Sequence, residues 1–286
     1  MASDWRETKL GDVAEFISGG TPSKARPDYW GGTIPWVSAR EMKRFVLEDT
    51  EDHVTEEGIA SGTRLVEAGT VLLLTRGMTL LNDIPISVAG RLMTFNQDVK
   101  AVRPKPGLRE EFLPYLLIGN KGRLLNMVDL AGHGTGRLNT DELKTLTIRL
   151  PPESLQLAIA TVLRNLDETI NANLQASATL EALAETLFRA WFVNFQPLRV
   201  NGDRPAEVPS SIDSLFPNSF YDSPIGPIPE GWEITSLDEV AEFRNGLVLQ
   251  KFPPTDGRDL PVIKIAQLRA GSTKGADAAS ADIPSE

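Results

Sequence analysis

The 286-residue sequence is too long for one small module and suits about two domains, each able to bury a core. It contains no cysteine and two histidines, His53 and His133, which excludes disulfides, thiolate metal sites and His-rich metal sites. The N-terminus has no leader-like segment and no apolar run approaches about 18 residues, so the sequence predicts a soluble, cytoplasmic protein with no membrane partner.

The distribution of charge matters more than the net charge of −10, which by itself argues against a basic, phosphate-binding surface. Residues 1–150 hold 19 Lys and Arg against 20 Asp and Glu, whereas residues 151–286 hold 10 against 19. In the first half the basic residues form two groups, Lys24, Arg26, Arg40, Lys43 and Arg44, then Arg76, Arg91, Lys100, Arg103, Lys105 and Arg109. An acidic run at 48–57 separates them. This pattern fits a module with one basic face, and ordinary solvated loops are the alternative.

The first 150 residues predict an α+β domain. Short apolar runs at 33–37, 69–74 and 98–102 are bounded by Gly, Pro and Asn, which is typical of strands. The stretch 110–125 has apolar residues at helical spacing and predicts a helix. The prediction for residues 1–150 is therefore a strand-rich domain interrupted by a helix.

Residues 151–196 predict one long, coiled-coil-type spacer helix. Between 153 and 194 there is no Gly or Pro, and apolar residues recur in alternating steps of four and three. The predicted helix-pairing positions are Leu155, Ile159, Val162, Leu166, Asn173, Leu180, Leu183 and Leu187. At 1.5 Å per residue such a helix is about 60 Å long and needs a second helix to cover its apolar stripe. Thr169 and Asn173 form a polar notch that would fix the register; an ordinary core helix is the alternative.

The sequence after Gln196 predicts a loop-like connector over 197–230 and then a repeat. From residue 232 the start of the chain recurs at a constant offset of 227 residues. The matching residues are Trp5, Leu10, Asp12, Val13, Ala14, Glu15, Phe16 and Gly19, and then Trp232, Leu237, Glu239, Val240, Ala241, Glu242, Phe243 and Gly246. Residues 231–286 are thus interpreted as the incomplete start of a second copy of the first domain. Two copies on a rigid helix would read two short DNA sequences at a fixed separation.

Several motifs carry a family resemblance. They are Leu-Asn-Thr-Asp-Glu-Leu-Lys at 138–144, Leu-Pro-Pro at 150–152, Leu-Phe-Arg-Ala-Trp-Phe-Val-Asn-Phe at 187–195, Leu-Phe-Pro-Asn-Ser-Phe at 215–220 and Gly-Pro-Ile-Pro-Glu-Gly-Trp at 226–232. In this order they resemble the specificity subunit of type I restriction-modification systems over about residues 4–270. The motif at 187–195, which ends the long helix, and the Ile-Pro-Glu-Gly-Trp motif, which opens the repeat, are specific for this family when they occur together.

The resemblance implies a non-catalytic reader of double-stranded DNA that has no cofactor. In that family two target-recognition domains each bind part of a split sequence, and two long helices pair antiparallel to set the distance. It also implies that the helices dock methyltransferase subunits and that the assembly recruits restriction and translocase subunits. The chain departs from the family in length. The shorter length predicts either a truncated reading frame or self-association of two chains through the long helix. A truncated frame is favoured, because a natural half-subunit would gain nothing from a broken domain with unpaired strand edges.

Donor side chains on predicted loops are the candidates for contacting DNA, because Arg can bind guanine and Asn or Gln can bind adenine. The candidates are Lys24, Arg26, Arg40, Lys43, Arg44, Arg76, Asn82, Gln97, His133 and Arg137. An enzyme is the alternative class, since the glycine-rich stretch 129–137 resembles the S-adenosylmethionine loop of methyltransferases. The uninterrupted helix that follows argues against it, because a methyltransferase needs further alternating strands and helices. A purely structural helical adaptor is a third possibility.

Overall fold

A computed structural model describes residues 5–131, 134–196, 219–255 and 259–282 of the chain. The chain divides into two compact units, Met1–Ala182 and Leu183–Glu286, which are described separately. Its architecture is α+β with one long helix, as the sequence predicts.

The first unit contains fourteen described strands and six helices. The strands are β1 Arg6–Lys9, β2 Ala14–Ser18, β3 Trp30–Val37, β4 Val46–Leu47, β5 His53–Val54, β6 Arg64–Val66, β7 Val71–Leu74, β8 Arg76–Gly77, β9 Ile86–Ala89, β10 Met93–Phe95, β11 Val99–Pro104, β12 Val128–Ala131, β13 Thr135–Leu138 and β14 Thr147–Leu150. The helices are α1 Leu10–Val13, α2 Glu56–Ala60, α3 Leu113–Gly119, α4 Lys121–Leu125, α5 Thr140–Thr145 and α6 Glu153–Phe188, which continues into the second unit. Two 3-10 turns lie at Pro27–Tyr29 and Met78–Leu81.

A five-stranded sheet in the order β2-β11-β7-β9-β4 holds the core of the first unit. All four residues of β7 are buried, because a continuous apolar run fits a strand that is covered on both faces. A second sheet has the order β5-β3-β10-β6, and a third, smaller one has the order β12-β13-β8. β1 pairs with β14, so the first and last strands of the domain meet immediately before the long helix.

The predicted strands at 33–37, 69–74 and 98–102 are confirmed as β3, β7 and β11. The predicted helix at 110–125 is two helices, α3 and α4, that meet at Asn120. Asn120 leaves helical geometry with φ −103° and ψ 7°, and its side-chain amide donates to the Leu116 carbonyl at 2.8 Å, which caps α3. Gly119 and Gly122 flank the break, and glycine weakens a helix.

The long helix predicted from 153 to 194 is confirmed through Phe188, and a π-helical turn follows at Arg189–Val193. Its buried residues are Gln156 and Ala160, both near its start. The alternative of an ordinary core helix is therefore wrong for the described chain, because most of the helix surface is exposed.

The second unit is built from short elements. After the helix end it contains β15 Phe220–Ser223, β16 Gly226–Pro229, α7 Leu237–Val240, β17 Asp259–Pro261, α8 Ile265–Ala270 and β18 Ala278–Ser280. β15 pairs with β16 and β17 pairs with β18. Of the predicted loop-like connector 197–230, residues 197–218 lie outside the described part of the chain. Residues 220–229 form a hairpin instead of a loop, and the Tyr221 hydroxyl fastens it by donating to the Trp232 carbonyl at 2.8 Å.

The repeat is visible in α1 and α7, which occupy positions related by the same offset of 227 residues. Their environments differ. Leu10 of α1 is fully buried, whereas its counterpart Leu237 is 66% exposed. In the first copy, β2 follows α1 and pairs with β11. Within the described residues, the apolar side chains Leu237 and Val240 of α7 are exposed, whereas Leu10 and Val13 of α1 are packed in the core of the first unit.

Candidate nucleic-acid interface

Two of the predicted DNA-binding arginines lie side by side on the three-stranded sheet. Arg76 of β8 is directly opposite Arg137 of β13 in the antiparallel register, and both are exposed. Their neighbours Gly77 and Gly136 are also paired. A Cβ on Gly136 would lie 2.8 Å from the Leu80 Cβ, so only glycine allows the turn Met78–Leu81 to pack this closely. The glycine position thus supports the sheet from which both arginines project.

A polar cleft of about 370 Å³ opens beside the two arginines. Its lining residues are Thr75, Arg76, Gln97, Asp98, Lys100, Arg137, Leu138, Asn139, Thr140 and Asp141. Burial lowers the pKa of Lys100; the charge of Asp98 opposes this effect and the charge of Arg76 adds to it. The Lys100 ammonium donates to the Ser18 hydroxyl at 2.7 Å, and the Thr21 hydroxyl donates to the side-chain Oε1 of Gln97 at 2.6 Å.

Among the described residues, neither Arg76 nor Arg137 forms an ion pair with an acidic side chain. Arg137 lies between Asp129 of β12 and Arg76 of β8, and the like charges of Arg76 and Arg137 on neighbouring strands are destabilising. A sheet that retains them is typical of a site where binding, not stability, selects the side chain. The cations Arg76, Lys100 and Arg137 outnumber the two acids of the cleft, Asp98 and Asp141, so the cleft keeps positive charge for phosphate, and an arginine can also donate two hydrogen bonds to guanine. We call Arg76, Gln97, Lys100 and Arg137 the arginine cleft.

Three residues of the first basic group are placed differently, because acidic side chains lie beside them. Arg26 binds Asp28 at 2.7 Å, and this pairing lowers the pKa of the Asp28 carboxyl. Arg40 contacts Glu41 at 3.0 Å and also two acids of the run at 48–57. Lys24 lies 4.0 Å from Asp52 and above the rings of two tryptophans. These three cations therefore already have partners within the chain.

The remaining candidates are spread over the surface. Lys43 and Arg44 are exposed and line a separate cleft with Glu48 and Asp49. Asn82 is exposed after the turn Met78–Leu81. His133 lies outside the described residues. The structure thus brings Arg76, Gln97 and Arg137 together and does not bring the whole predicted set to one face.

Lys100 joins the arginine cleft although sequence reasoning did not single it out as a DNA contact. It interrupts the otherwise buried run Val99–Val102, and a lysine within such a run was the available signal. Asn139 and Thr140, also at the cleft, belong to the helix cap that opens α5.

The predicted helix-pairing residues are largely exposed. Val162, Leu166 and Leu180 are at least 55% exposed, and Leu155, Leu183 and Leu187 are also exposed. Asn173 is exposed, and Ile159 packs against the core instead. Sequence reasoning missed Ile170 and Leu174, which are exposed to a similar degree. The alternating spacing of four and three residues assigned Thr169 and Asn173 to the pairing face. In the structure the exposed apolar surface at this point also includes Ile170 and Leu174.

The geometry of residues 129–137 contradicts the methyltransferase interpretation. The stretch runs from β12 into β13, which are antiparallel partners with Asp129 opposite Arg137. A cofactor loop of the Rossmann type joins a strand to a helix. Within the residues that the structure describes, no group of His, Cys, Asp and Glu could hold a metal ion. None of the described helices is long and apolar enough to cross a membrane.

The fold and the arginine cleft suit a DNA-specificity class of protein, and sequence comparison identifies the family. The profile described as "Type I restriction modification DNA specificity domain" matches residues 2–182. The match covers more than half of the chain, so the chain belongs to this family, and the resemblance noted from its motifs is confirmed.

Similar proteins are found in an archaeon and in bacteria. The type I restriction enzyme MjaIX specificity subunit of Methanocaldococcus jannaschii is 28% identical over 251 residues, which cover 86% of this chain and 54% of that protein. The EcoR124I/EcoR124II specificity subunit of Escherichia coli is 30% identical over 172 residues, which cover 59% and 42%. The chain spans about half the length of the curated relatives it matches. The crystal structure of the HsdS subunit from Thermoanaerobacter tengcongensis aligns with 66% of this chain and 44% of that chain, at 20% identity and a TM-score of 0.45.

Proposed function

We propose that the chain is a DNA sequence-recognition subunit that gives target specificity to a type I restriction-modification complex and catalyses no reaction by itself. The observation that carries this proposal is the cross-strand pair of Arg76 and Arg137, without ion-pair partners in the described chain, at the mouth of the arginine cleft. In a domain of the specificity family, such a pair is suited to bind a DNA strand. Gln97 and Lys100 would complete the contact.

The second part of the proposal is that the long helix docks methyltransferase subunits and sets the spacing between two half-sites. Its exposed apolar residues, among them Val162, Leu166 and Leu180, need a cover that the described chain does not provide. A second copy of the helix is a candidate for that cover, and methyltransferase subunits are another. Restriction and translocase subunits would join through the complex.

Asn173 supports pairing in a defined register. The Thr169 hydroxyl donates to the Asn165 carbonyl of its own helix at 2.8 Å, whereas no hydrogen bond of the Asn173 side chain is found within the described residues. A lone polar residue within an apolar seam specifies register at some cost in stability. Because double-stranded DNA is the proposed ligand, a cytoplasmic location follows from the proposal.

The proposal is tested by measuring duplex DNA binding over a range of salt concentrations, with the chain reconstituted with methyltransferase subunits. Arg76→Ala with Arg137→Ala should weaken binding and lower the salt slope by about one for each lost phosphate contact. Arg26→Ala is the matched control, because Arg26 is already paired with Asp28. If both variants lose DNA affinity to the same extent, the arginine cleft is not the DNA-binding site. Methylation of DNA by the chain alone would overturn the non-catalytic role.

A further inference from the structure

Side-chain hydrogen bonds join the long helix to the recognition domain at two points within the first unit, one on each side of Ala160, which is buried in the core. The first is Gln156 and the second is Asp167, which accepts a hydrogen bond from the Tyr115 hydroxyl at 2.8 Å. The two residues are 11 positions apart, which is about 16 Å along a helix. Two attachments at that separation fix the direction of the helix, whereas with a single attachment the helix could rotate about that point.

The first point is a fully buried amide. Gln156 is 0% exposed. Its side-chain nitrogen donates to the carbonyls of Gly107 at 3.0 Å and Pro151 at 2.9 Å, and its side-chain oxygen accepts from the Arg109 backbone N–H at 2.9 Å. These bonds join the first turn of α6 to the loop after β11. They locate the start of the helix.

The second point is the pair of Tyr115 and Asp167. Tyr115 lies on α3, its ring packs 5.5 Å from the Phe45 ring, and it is partly buried against the core. Burial, and then the bond to Asp167, raise the pKa of the phenol well above its ordinary value, so Tyr115 remains a donor. Asp167 is the last partly buried residue of α6 before Ala182. Beyond it the described helix residues are exposed, and several of those from 170 to 178 line an open cleft with the segment 43–48 of the domain.

We propose that Tyr115 and Asp167 are positioning residues, which fix the direction in which the helix leaves the recognition domain. This inference rests on the proposed spacer role, because a spacer gives one half-site separation only when its direction is fixed. Neither residue lies in the arginine cleft, so the pair would affect spacing without contacting DNA.

The absence of cysteine from the sequence permits a direct test in the full chain. Spin labels at Arg103→Cys and Glu181→Cys would report the distance between an exposed position on β11 and the outer part of the helix, both in the first unit. Pulsed electron paramagnetic resonance gives the distribution of that distance. Tyr115→Phe, which retains the ring, should widen the distribution by about 1.5-fold or more, or displace it, with an unchanged helical signal in circular dichroism.

Two comparisons separate the hydrogen bond from general packing. Asp167→Asn retains an acceptor and should keep the wild-type distribution, whereas Asp167→Ala should behave like Tyr115→Phe. Tyr29→Phe is the control, because Tyr29 stacks on Arg26, away from the helix. A wild-type distribution in Tyr115→Phe, or an Asp167→Asn variant as wide as Asp167→Ala, would overturn the inference.

DNA binding provides the functional readout. In the reconstituted complex, Tyr115→Phe should accept a wider range of spacer lengths between half-sites while the preferred bases stay the same. Because the distance measurement uses no DNA, failure of the arginine cleft to bind DNA would be distinguishable from failure of the positioning pair. Unchanged spacer selectivity alongside a widened distance distribution would overturn the spacing role.

Discussion

Arg76 and Arg137 face each other across two antiparallel strands although 61 positions separate them in the sequence. The pairing places two positive charges next to a half-buried Lys100. Each strand contributes a glycine beside its arginine, and those glycines are also paired. The cleft is thus built from pairs that become neighbours only after folding.

The repulsion between the two arginines predicts that Arg76→Thr stabilises the domain. Removing a like charge from a cross-strand pair, and placing a β-branched residue there, should raise the free energy of unfolding by about 0.5 kcal/mol. Urea denaturation measures the change. Arg103→Thr is the matched control, because Arg103 lies opposite Glu15 and its replacement removes an attractive pair. Destabilisation by Arg76→Thr would show that the charge is compensated.

Gly136 should not tolerate a side chain. A methyl group there would meet the Leu80 Cβ at 2.8 Å, so Gly136→Ala must displace the turn Met78–Leu81, at a cost of about 1–3 kcal/mol. Gly122→Ala in α4 is the control, since nothing lies within 4 Å of its added Cβ. That substitution should stabilise the helix by about 0.5–1 kcal/mol. Thermal unfolding of the two variants should shift in opposite directions, and a parallel shift would contradict the packing described.

Gln156→Ala should be among the more destabilising single substitutions in the helix. It leaves one backbone N–H and two carbonyls without their side-chain partner in a buried place, which we expect to cost about 3 kcal/mol. Gln175→Ala, on an exposed part of the same helix, is the control and should change stability little. A small effect of Gln156→Ala in urea denaturation would mean that water replaces the lost bonds.

The burial of the Tyr115 phenol and its hydrogen bond predict that the domain loses stability at alkaline pH. The pKa of the phenol is raised in the folded state above the ordinary value of 10.0. The stabilisation from a raised pKa is fully present below the unfolded value and is lost as pH rises towards the folded value. Wild type should therefore lose stability above about pH 10, and Tyr115→Phe should lose less over the same range. Denaturation midpoints on either side of pH 10, with Tyr29→Phe as control, measure the difference.

The sequence predicts those parts of the fold that depend on local patterns. The apolar run Val71–Leu74 identifies a buried strand, and the absence of Gly and Pro after Pro152 identifies α6. The hairpin at 220–229 was missed because its prolines and glycine are also typical of a loop.

The arginine cleft could be predicted only in part. Arg76, Gln97 and Arg137 were candidates by residue type, but ten candidates were equivalent until strand register brought three of them together. Arg26 has Asp28 and Arg40 has Glu41 close by in the sequence, and the fold shows that these ion pairs form and that Glu51 also approaches Arg40. The contact between Tyr115 and Asp167 links two helices 52 residues apart, which no local pattern reveals.

The exposed apolar stripe of α6 predicts that Leu166→Asp with Leu180→Asp abolishes pairing of the helix and docking of methyltransferase subunits. Both side chains are more than half exposed, so the first domain should remain folded. Burial of two carboxylates in an apolar interface is strongly unfavourable unless they are neutralised. Gln175→Asp with Thr179→Asp is the control, because both residues are exposed on the same helix, are not among the predicted pairing positions and add the same charge. Sedimentation of the chain alone and co-purification with a methyltransferase subunit measure the two associations. If the Leu166 and Leu180 variant still forms both, the stripe is not the interface.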